Sequence, residues 1–97
     1  MNNDPTKPNT AAKLGEIAYP VDFPIKVMGR KEPGFARTVV DIVRKHAPDF
    51  DESTVEMRPS KKDTYLSVTC NIIATSREQL DALYQELNDQ PAVVMVL

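Results

Sequence analysis

The chain has 97 residues, a net charge of −2, one cysteine and one histidine. That length allows one domain with a thin core, since a chain this small buries only about 60–65% of its unfolded surface, and oligomerisation would help it. The slight negative charge gives no field for phosphate backbones or anionic lipid, no apolar run nears the roughly 20 residues of a membrane span, and one cysteine with one histidine makes neither an internal disulfide nor a zinc site.

Residues 1 to about 18 are rich in Asn, Pro, Thr, Lys and Ala and carry no apolar period. They predict a disordered tail without the apolar stretch of a secretory signal. The expected domain is 19–97. With no targeting signal in view, a reduced cytoplasmic protein is expected, without cofactor, membrane or nucleic-acid partner.

Phe23–Gly29 reads as the first strand, with Phe23, Ile25 and Val27 on one side and Lys26 and Met28 on the other. Gly29 is free to take positive φ, which suits a sharp exit. Pro33 fits the first turn of the helix that follows, where its missing N–H costs nothing. Phe35, Val39, Ile42 and His46 recur at helical spacing, so Phe35–His46 is an amphipathic helix, stopped by Pro48. Arg44, Lys45 and His46 lie in its last turn and complement the helix dipole.

Thr54–Pro59 is a short strand, with Val55 and Met57 inward and Glu56 and Arg58 outward; Pro59 ends it or places it at an edge. Ser60–Thr64 is a polar hairpin loop. Tyr65–Ala74 alternates cleanly, with Leu66, Val68, Cys70, Ile72 and Ala74 on one face. It is the longest strand signal and belongs mid-sheet. Ser76 with Gln79 predicts a capping box, followed by Leu80, Leu83, Tyr84 and Leu87 as a buried helical stripe. Ala92–Leu97 is a last strand without a charge. The order β-α-β-β-α-β predicts an α+β, ferredoxin-like sandwich. Its antiparallel sheet would have order 4-1-3-2, with both helices on one face.

Six runs carry a family likeness: Phe23-Pro24-Ile25-Lys26-Val27-Met28-Gly29, His46-Ala47-Pro48, Arg58-Pro59-Ser60, Tyr65-Leu66-Ser67-Val68, Glu78-Gln79-Leu80-Asp81-Ala82-Leu83-Tyr84 and Val93-Val94-Met95-Val96-Leu97. From about residue 20 onward the chain resembles the YbeD-like family of short bacterial proteins. The resemblance implies a fold similar to ACT regulatory domains, which bind small effectors, often amino acids, and control enzymes. ACT-like domains commonly pair side by side through the fourth strand. The family brings no catalytic residues to carry over. The chain departs from the family pattern in its hairpin, Lys61-Lys62-Asp63-Thr64, and at Leu66, where a histidine is frequent.

Candidate sites follow from this layout. Gly29, Arg30 and Gly34, with Lys31, lie beside a helix N-terminus, whose free N–H groups suit a carboxylate or phosphate. In ACT-like proteins this loop often lines the effector site. The open sheet face carries Lys26, Met28, Glu56, Arg58, Ser67, Thr69 and Asn71, with Tyr65 near its rim and Lys61 in the hairpin beside it; a solvated polar face is the first reading and a protein-docking face the second. It lacks the central aromatics on which an RNA-recognition sheet stacks bases. Val94 and Val96 belong to an apolar edge strand, which invites strand pairing with a second copy, the N-terminal arm or a client protein. His46 reads as a structural helix-end residue. Cys70, on the inward face of a central strand, reads as plain core. The expected function is a non-enzymatic regulatory or adaptor module acting by protein contact. A small-ligand sensor for an amino acid or carboxylate is the alternative.

Overall fold

In a computed structural model describing residues 18–97, the strands are β1 (Val21–Arg30), β2 (Glu56–Pro59), β3 (Tyr65–Ala74) and β4 (Val93–Val96), and the helices are α1 (Phe35–His46) and α2 (Arg77–Asn88). The tail expected over 1–18 lies outside the described residues except for Ala18. The strands form one sheet in the order β2-β3-β1-β4, with antiparallel pairing throughout. This is the ferredoxin-like sandwich that the element order called for.

The alternation in β3 organises the layers. Val68, Cys70, Ile72 and Ala74 are buried on the side that meets the helices. Register pairs Val27 with Val68 and Ile25 with Cys70, so the buried residues of β1 and β3 stand side by side. Val39, Val43, Leu80, Leu83 and Leu87 close the core from above and are fully buried. Each such side chain contributes about 1.5–3 kcal/mol by leaving water. Phe50, in the loop after α1, is also buried, and its N–H donates to Ala47 O at 2.9 Å. Sequence periodicity gave no hint of it, because a single aromatic in a turn has no repeat to betray it.

Several local expectations change. Gly29 is not a positive-φ turn residue: among the described residues positive φ occurs only at Gly34 (85°) and Asp63 (61°). Gly29 is a buried strand residue, and a Cβ there would collide with the Phe35 ring and come within 2.6 Å of Ala92 O. Pro33 stands before the helix, not in its first turn, since Gly34 is the N-cap. β2 starts at Glu56, preceded by a 3-10 turn over Glu52–Thr54 that Asp51 caps by accepting the Ser53 N–H. Met57 lies opposite Val68 on the helix side of the sheet yet is 58% exposed, because the helices pack over β1, β3 and β4 and leave β2 largely uncovered.

The cap of α2 holds in part. Ser76 Oγ accepts the Gln79 N–H at 3.0 Å, but Gln79 Oε1 accepts from Thr75 N–H rather than from Ser76, and Gln79 Nε2 donates to His46 O. Gln79 therefore ties the start of α2 to the end of α1.

Candidate functional site

The loop between β1 and α1 is less open to a ligand than its sequence suggests. Gly34 takes the left-handed conformation that starts α1 and lines a shallow depression of about 480 Å³ with Lys31, Pro33, Phe35, Asp63 and Leu66. The cations beside it are already engaged. Arg30 Nη2 donates to Pro91 O at 2.9 Å and the side chain pairs with Glu32 at 3.5 Å. Lys31 Nζ meets Asp63 Oδ1 at 2.6 Å, and Lys31 N–H donates to Thr64 O. Arg30 and Lys31 thus fasten the loop to the lead-in of β4 and to the β2–β3 hairpin. Gly29 does not face the depression at all; it is the floor against which Phe35 packs.

The open face of the sheet gathers the residues read as a docking surface. Register sets Lys26 beside Thr69 and Thr69 beside Glu56; the next row sets Met28, Ser67 and Arg58 in line. Lys26, Glu56, Arg58, Ser67 and Thr69 line a concavity of about 490 Å³, with Met57 at its edge. Tyr65 stands one row further along, 41% exposed, opposite Arg30. Lys61 sits outside the sheet, exposed in the hairpin, and does not join the concavity.

The edge strand carries the apolar exposure that its composition foretold. Val96 lies opposite Val27 and Met95 opposite Met28, but Gly29 lies opposite Val93, so Val94 is the extra residue of a β-bulge. Val96 and Val93 pack against the core, while Val94, Met95 and Leu97 are 53%, 44% and 59% exposed. Pairing continues to the C-terminus through two bonds between Lys26 and Leu97, at 3.2 and 2.8 Å. β4 pairs with β1 on one side and ends the sheet on the other among the described residues. Val94 and Val96 are thus on one edge strand but differ in role: Val94 faces water and Val96 closes the core.

The remaining titratable groups read as structure. His46 Nε2 lies 2.7 Å from Glu86 Oε1, and Lys45 Nζ is 3.1 Å from the same oxygen. Hydrogen bonds from His46 and then Lys45 hold the Glu86 carboxyl below the usual carboxylate range. Arg37 donates to Glu52 at 2.7 Å, which lowers the Glu52 carboxyl and ties the 3-10 turn to α1. Burial pushes the Cys70 thiol up to about 11, which keeps it protonated and inert at neutral pH. Among the described residues no group of three His, Cys, Asp or Glu side chains could hold a metal ion. A further concavity of about 380 Å³, lined by Ala47, Pro48, Phe50, Ile72 and Ile73, was not legible in sequence, because it is built around the loop that buries Phe50.

The strand order and the two helices define a ferredoxin-like sandwich whose fold is similar to that of ACT domains. Solved structures bear this out at the level of fold. The solution structure of protein HP0495 from Helicobacter pylori matches with a TM-score of 0.69 at 18% identity, covering 100% of this chain and 94% of that one. The ACT domain of a GTP pyrophosphokinase from Chlorobium tepidum matches with a TM-score of 0.58 at 19% identity, over 79% of this chain and 97% of that one. Residues 15–97 match the family model described as a protein of unknown function, DUF493, and the chain belongs to that family. A UPF0250 protein of Nitrosomonas europaea is 57% identical over 84% of this chain and 93% of its own length. A UPF0250 protein of Bordetella pertussis is 54% identical over 84% and 89%. The resemblance to short bacterial proteins with an ACT-like fold therefore stands.

Proposed function

We propose that this chain is a non-catalytic regulatory or adaptor module that works through protein contact, and that its first contact is with a second copy of itself along β4. The observation that carries this reading is the edge strand: Val94, Met95 and Leu97 are about half exposed on a strand whose outer side has no neighbour among the described residues. An apolar edge of this kind favours pairing. Antiparallel pairing about a two-fold axis is self-complementary, so one patch serves both partners. It would extend the four-stranded sheet to eight strands and cover apolar area that a thin core leaves exposed.

The geometry gives less support to a sensor built on Gly29, Arg30 and Gly34. Arg30 and Lys31 already have carboxylate partners, and Gly29 is filled by Phe35. Sedimentation velocity of the wild type and of Val94→Lys tests the dimer. The wild type should sediment as a dimer and the lysine variant as a folded monomer, because a charge at the bulge opposes pairing without touching the core. A wild type that stays monomeric when concentrated overturns the reading.

A further inference from the structure

The open face of the sheet holds a feature that strand pairing does not use. Among the described residues Arg30, Lys31, Arg37, Arg44, Lys45 and Arg77 each lie within ion-pair distance of a carboxylate. Lys26, Arg58, Lys61 and Lys62 have no such partner among the described residues, and of these four Lys26 and Arg58 stand in a concavity of about 490 Å³. The floor of that concavity is Ser67 and Thr69, half-buried on the central strand β3. Neither hydroxyl makes a side-chain hydrogen bond among the described residues.

Register places these groups with useful symmetry. Lys26 is beside Thr69 and Arg58 is beside Ser67, on opposite flanks of β3 and two residues apart along it. With strands roughly 4.8 Å apart and a rise of about 3.4 Å per residue, the two cationic Cα atoms stand about 12 Å apart on a diagonal. Both side chains are long enough to lean inward over the hydroxyls. Two cations above two free hydroxyl donors make an oxyanion site. Glu56 completes the wall beside Thr69 and can only accept, so it suits a donor group carried next to the anion.

We propose that this groove binds a small molecule carrying a carboxylate or phosphate group beside a hydroxyl or amine. Lys26 and Arg58 hold the anion, Ser67 and Thr69 donate to it, and Glu56 accepts from the neighbouring hydroxyl or amine. The site lies on β1, β3 and β2, away from β4, and stands whether or not two copies pair.

Amide-resolved NMR titration of the full chain tests it, with glycerol 3-phosphate in one arm and malate in the other. Sodium chloride at matched ionic strength is the control. The proposal expects saturable shifts, centred on Lys26, Arg58, Ser67 and Thr69, in at least one arm, and the arm that saturates tells phosphate from carboxylate. Lys26→Gln and Arg58→Gln should each weaken that binding about tenfold, the loss of one charge-assisted contact. Lys61→Gln, which removes an unpaired cation outside the groove, should leave it unchanged. Shifts that merely follow salt, or that centre elsewhere, overturn the proposal, as does equal weakening by Lys61→Gln.

Discussion

Replacing Gly29 by alanine tests the packing account of the β1–α1 junction. The added Cβ would collide with the Phe35 ring and come within 2.6 Å of Ala92 O, about 0.8 Å closer than ordinary contact allows. Phe35 is 4% exposed and cannot swing into solvent without losing its burial. Ala92 O accepts the Arg30 N–H at 2.9 Å, so moving it strains the β1–β4 pairing. Overpacking of this kind costs about 1–3 kcal/mol, and the backbone contact puts Gly29→Ala near the upper end. A domain of this size loses roughly 4–8 °C in Tm per kcal/mol.

The second arm of the test is Phe35→Leu, which shrinks the ring that fills the Cβ position. If the clash is the cause, the double variant should be at least about 1 kcal/mol more stable than the two single costs predict, since residues in contact couple. It should not recover fully, because the Ala92 contact persists. Chemical denaturation of the four proteins gives the coupling. Additivity within about 0.5 kcal/mol would refute the clash with the Phe35 ring and leave the Ala92 O contact to carry the cost.

Two further outcomes follow from the titratable groups. The Glu86 carboxyl sits below its usual range because His46 and Lys45 donate to it, so the pair stabilises the fold above the ordinary carboxylate range. That stability is lost as pH falls through the lowered value, and Glu86→Gln should flatten the acid limb of a stability-versus-pH curve measured by thermal unfolding. An unchanged limb would show that the interhelix pair is not linked to folding. Cys70 is fully buried with its thiol pushed up to about 11, so the native protein should react with a thiol reagent only as fast as it opens. Reaction should complete promptly in denaturant, and rapid labelling of the native protein would contradict the burial.

The fold was legible because its strongest signals are periodic. Tyr65–Ala74 and Phe35–His46 emerge with the bounds that the alternation and the helical stripe marked, and Ser76 caps α2. Positions without a period are where structure and sequence pattern part. Gly29 owes its place to an aromatic ring six residues on, which no local rule shows. Met57 follows the inward alternation but sits where the helices leave it 58% exposed. The β4 bulge, which separates the exposed Val94 from the inward Val93 and Val96, depends on register with β1. The candidate ligand loop looked basic because Glu32 and Asp63, the partners of Arg30 and Lys31, are joined to them only by folding. Alternation alone puts Lys26 and Arg58 on one open sheet face with Ser67 and Thr69. That they share a groove with Ser67 and Thr69 needed the register of three strands.

Strand pairing through β4 makes a residue-specific demand. Leu97 exchanges both backbone bonds with Lys26, so alternation turns the Val96 amide away from β1, toward the free edge. Hydrogen exchange at the Val96 amide, followed in dilute and in concentrated protein, is the most direct measurement of the proposed contact. The account predicts that this amide becomes protected as concentration rises. A Val96 amide that exchanges equally fast at both concentrations would contradict it.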